Sequence, residues 1–277
     1  MLRLTSGQVR LIMVHAVERG LASRELGEIE HVAIDEKSFK RRHVYGCVVS
    51  DVGLGRVVDV TLGRDEEAAR KALKSLPQPK VVKTITMDMA ASFKNAAHAV
   101  LPKADVIHDR FHVAMNLGKA VDQTRRAEQK RRPELKGSRY VWLTNTENRS
   151  DKQKANFEFL MSLELKTAEA HAFKEVFRHF FEQNDWQSAA QFLSDWLVEA
   201  RKTNLPALKK VADTLEANFI GLLNYTKWKL TNSFAEGLNA MIQEIKTVAR
   251  GFRRFENFRI AVLFFLGKLD LYPCKSP

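Results

Sequence analysis

Asp35 in VAIDEKSF, Asp88 in TITMDMAASF and Glu236 in LTNSFAEGLNAMI are the residues of this chain whose types and settings could do chemistry together. The first two close β-branched runs, where a carboxylate would stand at a strand end. The third follows a polar stretch that opens a helical pattern. Ligation by carboxylate oxygens alone suits a hard divalent cation such as Mg²⁺, which keeps several waters and binds phosphate oxygens. Phosphoryl chemistry on nucleic acid is the chemistry such a trio predicts. Each acid also has an ordinary explanation, as a strand-end polar residue or as a dipole partner in a helix's first turn. Two acids at the converging ends of adjacent strands are harder to explain that way, because they repel unless a cation compensates. Glu36, next to Asp35, is expected to point to the opposite face and to be structural.

Other polar residues stand near this trio in sequence. Asp105-Val-Ile-His-Asp109-Arg-Phe-His112 is the densest run of functional residue types, and Asp109 and His112 share a face if a helix begins there. Since Mg²⁺ prefers oxygen, His112 is read as a supporting or DNA-contacting residue rather than a ligand. Asn239 lies one turn beyond Glu236, and Thr231-Asn232-Ser233 offers helix caps. Two basic stretches, Arg125, Arg126, Lys130, Arg131 and Arg132, then Lys246, Arg250, Arg253 and Arg254, suit a phosphate backbone. A solvated helix face is the plainer explanation of both.

The elements that must position these residues follow from periodicity. Leu4 to Leu26 reads as an N-terminal helix. Three short strands follow at His31 to Ile34, Val44 to Ser50 and Arg56 to Leu62, with a basic turn at Lys40-Arg41-Arg42 between the first two. A helix runs from Asp65 to Leu76, a strand from Val81 to Met87, a helix from Ala90 to Leu101 and a strand from Asp105 to His108. The order βββαβαβα predicts an α/β fold of the ribonuclease H-like kind, a mixed sheet with its first strand beside its fourth. Four segments are expected: an N-terminal helix over 1–30, the first part of the core over 31–125, an all-helical insertion over 126–230, and a last catalytic helix with the remaining core over 231–277. The insertion's aromatics, Phe157, Phe159, Phe173, Phe177, Phe180, Phe181, Trp186, Phe192 and Trp196, are expected to fill its core.

Composition narrows the function classes. A chain of 277 residues with 45% hydrophobic and 28% charged residues buries a real core, and its net charge of +12 favours a polyanionic partner. Two cysteines, Cys47 and Cys274, make neither a disulfide framework nor a zinc site. The longest apolar run, Ile260 to Gly267, is far too short to span a bilayer. A cytoplasmic, nucleoid-associated location is expected.

AIDEKSFKRRHVYGCVVSD, MDMAASFKNA, VIHDRFHV and LTNSFAEGLNAMIQEIKTVARGFRRFENFR, in this order, resemble the DDE domain of bacterial insertion-sequence transposases of the ISL-three family. The resemblance runs from about Leu4 to Leu269. It implies that Asp35, Asp88 and Glu236 are the three metal-binding catalytic acids. Together they would hold two Mg²⁺ or Mn²⁺ ions that activate an attacking oxygen and stabilise the leaving one. It matches Asp109 and His112 to a D-x-x-H element, and it implies double-stranded DNA, both element ends and target, as partner of a homo-oligomer. The family's usual N-terminal zinc ribbon and helix-turn-helix have no counterpart here, so recognition of specific ends is not expected of this stretch alone. Two alternatives share part of the pattern: a structure-selective nuclease on the same scaffold, and a non-catalytic DNA-binding remnant.

Overall fold

A computed structural model describes residues 4–40, 44–229 and 233–272, leaving out the side chains of Lys40 and of residues 233–236. Among these residues the chain runs α1 (Ser6–Ala22), β1 (His31–Lys40), β2 (Val44–Asp51), β3 (Arg56–Leu62), α2 (Glu66–Leu73), β4 (Thr84–Met87), α3 (Ala91–Val100) and β5 (Asp105–His108). Seven helices follow: α4 (Arg110–Glu128), α5 (Arg139–Leu143), α6 (Asp151–Met161), α7 (Lys166–Phe177), α8 (Trp186–Lys202), α9 (Pro206–Ala217) and α10 (Phe219–Trp228). The described chain closes with α11 (Ser233–Val248) and α12 (Phe255–Leu266).

The fold is α/β, with a five-stranded mixed sheet in the order β3-β2-β1-β4-β5. β1 pairs antiparallel with β2, β2 antiparallel with β3, and β1 parallel with β4, so the first strand does lie beside the fourth. Side chains alternate across the sheet and build two cores. Val32, Ile34, Cys47, Val49, Ile85 and Met87 bury against Leu73 of α2 and Phe93 of α3. Val48, Val57 and Val60 bury on the other face against Val17 of α1, Leu238 and Ile242 of α11, and Phe258 and Val262 of α12. Phe258 is fully buried and stacks on Phe39 at 5.6 Å, and burial of such a ring is worth about 2 kcal/mol or more. α1 can approach this layer because Gly20 has no side chain: a Cβ there would sit 2.8 Å from the Asp270 carbonyl oxygen.

Helix starts follow the caps that the sequence offers. Asp65 accepts from the Ala68 N–H at 2.8 Å and places Glu66 and Glu67 in the first turn of α2. Thr5 and Gln8 form a reciprocal capping box on α1. The expected turn at Arg41-Arg42, the caps Thr231 and Asn232, and Cys274 lie outside the described residues.

Two units emerge: residues 1–107 with 231–277, and residues 108–230. The second is all helical. A boundary after residue 125 would cut through α4, whose Val113, Leu117, Ala120 and Val121 are buried within the helical unit, so that helix belongs to it throughout. Trp142, Phe177 and Phe180 are fully buried there and Trp196 nearly so, as core aromatics should be, whereas Phe159 and Trp186 are exposed.

Candidate functional site

β1 continues past Ile34 to Lys40, so Asp35 stands in mid-strand, paired with Val48 of β2, and does not follow the strand as expected. The polar run Asp35-Glu36-Lys37 reads as a strand end, but β2 supplies a full antiparallel partner and holds it extended. The strand terminus that does matter belongs to β4. The parallel register between β1 and β4 pairs His31 with Thr84, Val32 with Ile85 and Ala33 with Thr86. Two residues further along stand Asp35 and, just past the end of β4, Asp88. The two aspartates are therefore level on neighbouring chains. Strand parity puts Asp35 on the face opposite Ile34, which is the face that packs α11, while Asp88 directly follows Met87 where the chain leaves β4.

Asp35 is partly buried and fully engaged. Its Oδ1 accepts from the Glu36 N–H at 2.7 Å, and its Oδ2 accepts from Asn239 Nδ2 at 2.9 Å and pairs with Lys37 Nζ at 2.8 Å. Asn239 thus ties α11 to β1 at this carboxylate. Position 236 is three residues earlier on the same helix, while the Glu236 side chain lies outside the described residues. Asp88 accepts the Ala90 N–H at 2.8 Å, an arrangement that turns the chain from β4 into α3.

Glu36 points to the other face, level with Cys47. Burial, first, and then the negative charges of Asp88 and Asp35 push its carboxyl above the usual carboxylate range, with Arg64 opposing. The buried Cys47 thiol is pushed up to about 12 by burial and by Glu36, Asp65, Asp35 and Asp88 together. Burial is the first cause of both shifts, and the neighbouring carboxylates add to it. The donors are all oxygen, and the field of those carboxylates is what a hard divalent cation relieves, so the residues fit one. Among the described residues no group of three His, Cys, Asp or Glu side chains is already gathered as a metal site.

Beside this carboxylate end lies a groove of about 900 Å³ lined by Ser38 and Phe39 of β1 and by Gln243, Lys246, Arg250, Phe252 and Arg253 of the α11 region. Arg250 and Gly251, both at positive φ, turn the chain out of α11, and the Gly251 N–H donates to the Lys246 carbonyl at 2.8 Å. The turn leaves Arg250, Arg253 and Arg254 exposed. Burial, and then the charge of Lys37, lowers the Lys246 pKa. Lys37 and the groove itself were not singled out from the sequence. A lysine at i+2 on a strand shares the face of residue i, which was the available signal.

In the helical unit, Asp109 caps α4 by accepting from Phe111 N–H at 2.8 Å, so the helix begins at Arg110. His112 Nδ1 stands 3.5 Å from Asp109 Oδ2, too far for a firm hydrogen bond, and that nitrogen has no hydrogen-bond partner. The first basic stretch divides. Arg126, Lys130 and Arg131 are exposed, and Arg132 is half-buried near Glu134 at 3.7 Å. Arg125, expected at DNA, is instead buried and committed to Asp122, Gln129 and the Leu135 carbonyl. The reason is its place on the packed face of α4 beside Val121 and Thr124.

The chain is 28% identical over 247 residues to the transposase for insertion sequence element IS1001 of Bordetella parapertussis, a match covering 85% of this chain and 60% of that protein. It is 23% identical over 255 residues to the transposase for IS1557 of Mycobacterium tuberculosis H37Rv, covering 81% of this chain and 57% of that protein. The chain therefore spans somewhat more than half the length of these curated relatives. No described helix is long and apolar enough to cross a membrane. The sequence model of one transposase family matches residues 32–262, which takes in the whole carboxylate end of the sheet, α11 and most of α12, and by that match the chain belongs to the ISL3 family of DDE transposases.

Proposed function

We propose that this chain carries the catalytic core of a DNA transposase, in which Asp35, Asp88 and Glu236 hold divalent metal for strand cleavage and strand transfer at insertion-sequence ends. The observation that carries the reading is the level placement of Asp35 and Asp88 along neighbouring parallel strands, with α11 tied to Asp35 through Asn239. Glu236, one turn before Asn239, is the third acid in this reading, and the mixed sheet with β1 beside β4 is compatible with a ribonuclease H-like core. Mg²⁺ or Mn²⁺, two ions in the active state, would supply activation of the attacking oxygen and charge stabilisation at the leaving one.

The residues' own parts are then distinct. Asp35 and Asp88 present oxygens from the two central strands of the sheet, and Asn239 orients Asp35 by donating to Oδ2. Lys246, Arg250 and Arg253 receive the phosphate backbone along the groove, with Arg254 exposed just after them. Arg126, Lys130, Arg131 and Arg132 are the DNA-contacting residues of the helical unit in this reading, with Asp109 and His112 in support of α4's first turn. In the reaction a water or 3′-hydroxyl oxygen attacks phosphorus, the bond to the old 3′ oxygen breaks, and that oxygen leaves as the new 3′-hydroxyl. Double-stranded DNA and a homo-oligomer on it are the partners of this reading. The test is Mg²⁺- or Mn²⁺-dependent nicking and joining of labelled DNA carrying candidate element ends. Joined products that vanish in Asp88→Asn, with DNA binding retained, are expected, and undiminished joining by that variant refutes the assignment.

A further inference from the structure

Both carboxylate oxygens of Asp35 have partners within the chain, and one of those partners is itself a cation. Lys37 Nζ lies 2.8 Å from Oδ2, the same oxygen that accepts from Asn239, and both charged side chains are only about one-fifth exposed, at 24% and 20%. A divalent ion arriving at Oδ2 would meet a positive charge within a few ångströms, a repulsion too large to leave in place in a partly desolvated site. Asn239 is neutral and can stay. Lys37 must leave, and its flexible four-carbon stem allows it to.

The direction of its departure is also indicated. Lys37 is on the α11 face of β1 by strand parity, directly before Ser38 and Phe39 of the groove wall, and Lys246 senses its charge. Another cation in that groove is unfavourable by itself, but favourable once a polyanion lies there. We infer that Lys37 is a resident counter-ion that holds the metal position of Asp35 until a nucleic-acid phosphate draws it into the groove, so that metal and DNA bind cooperatively through this one side chain. Lys37 is then a positioning residue rather than a catalytic one, and the inference rests on the carboxylate site proposed above. Linkage requires reciprocity: if DNA tightens metal binding through Lys37, metal tightens DNA binding by the same factor.

The experiment is Mn²⁺ titration followed by calorimetry on the wild-type chain and on Lys37→Met, Lys37→Arg and Asp88→Asn, each with and without a saturating DNA duplex. Lys37→Met should bind Mn²⁺ about tenfold more tightly than wild type without DNA and lose most of the DNA-induced gain, while Lys37→Arg behaves like wild type. Mn²⁺ affinity unchanged in Lys37→Met, with Asp88→Asn still abolishing binding, overturns the role of Lys37 and leaves the metal site standing. Mn²⁺ binding indifferent to Asp88→Asn overturns the metal site and this inference with it.

Discussion

The carboxylate end of the sheet and the interior of the helical unit both gather ionisable side chains, yet they are built on opposite rules. In the helical unit Arg149, nearly buried, donates to the Val141 carbonyl at 3.1 Å, to Thr146 Oγ1 at 3.4 Å and to His171 Nε2 at 3.1 Å, and its guanidinium lies 3.7 Å from the Phe157 ring centroid. His171 accepts with Nε2, so it is neutral there; burial first, and then Lys174, hold its pKa down to about 4. Burial works against the Glu175 carboxylate, but hydrogen bonds from Lys174 and Arg178 outweigh it and leave its pKa lowered. Charge and hydrogen bonds close within this cluster. At the sheet end, burial and the charges of Asp88 and Asp35 act on Glu36 against Arg64 and Lys37, and Lys37 also pairs with Asp35. A balanced buried network holds a fold together, whereas an unbalanced, half-exposed one is a place for something to bind.

Breaking the two clusters should therefore give opposite results. The largest effect is expected at the sheet end: Asp35→Asn should lower metal-dependent nicking by about a thousandfold or more while shifting unfolding by less than about 1 kcal/mol. Rate assays and urea denaturation on the same preparation check both halves. Arg149→Ala should do the reverse, costing about 3 kcal/mol in denaturation because the Val141 carbonyl and His171 lose their donor and Phe157 its cation.

The pH dependence sharpens the contrast. His171 is held below its ordinary value in the fold, so between pH 6.5 and 4 the unfolded chain binds a proton that the folded chain refuses. Stability from this residue is full above pH 6.5 and falls by about 2 kcal/mol as pH drops to 4; Glu175, also depressed, acts in the same direction at the acid end. Urea midpoints of His171→Gln, which keeps an acceptor, should lose the His171 part of that slope. Glu36 has the opposite sign. Its carboxyl is raised, so the fold is penalised as pH rises past the ordinary carboxylate range, and Glu36→Gln should stabilise the chain slightly at pH 7 and not at pH 4. Thermal melts at the two pH values measure this smallest effect.

Much of this was present in local patterns. Arg56–Leu62 and Asp105–His108 are short β-rich runs that end as written, Asp65 and Asp109 cap the helices that follow them, and Asp35, Asp88 and Asn239 are picked out by their settings. Caps, alternation and turn residues act within a few positions of one another, so a linear reading captures them. Other features depend on which chains pair. Asp35 sits in mid-strand because β2 extends β1, and its match with Asp88 is a matter of register between segments some 50 residues apart in the chain, on the order of a parallel crossover.

The roles of the basic residues separate along the same line. Arg125 and Arg126 are adjacent and indistinguishable by charge, yet helix phase buries one against Leu135 and exposes the other. Sequence alone determined the carboxylate inventory, the basic excess and the order of strands and helices, because these follow from residue type and short-range periodicity. Tertiary structure decided that Lys37 and Asn239 meet at one oxygen of Asp35, that Glu36 feels the charge of two aspartates on the central strands, and that the α11 turn makes a groove with β1. Those are consequences of register and helix docking, which bring together side chains as many as 204 positions apart and which no local pattern encodes.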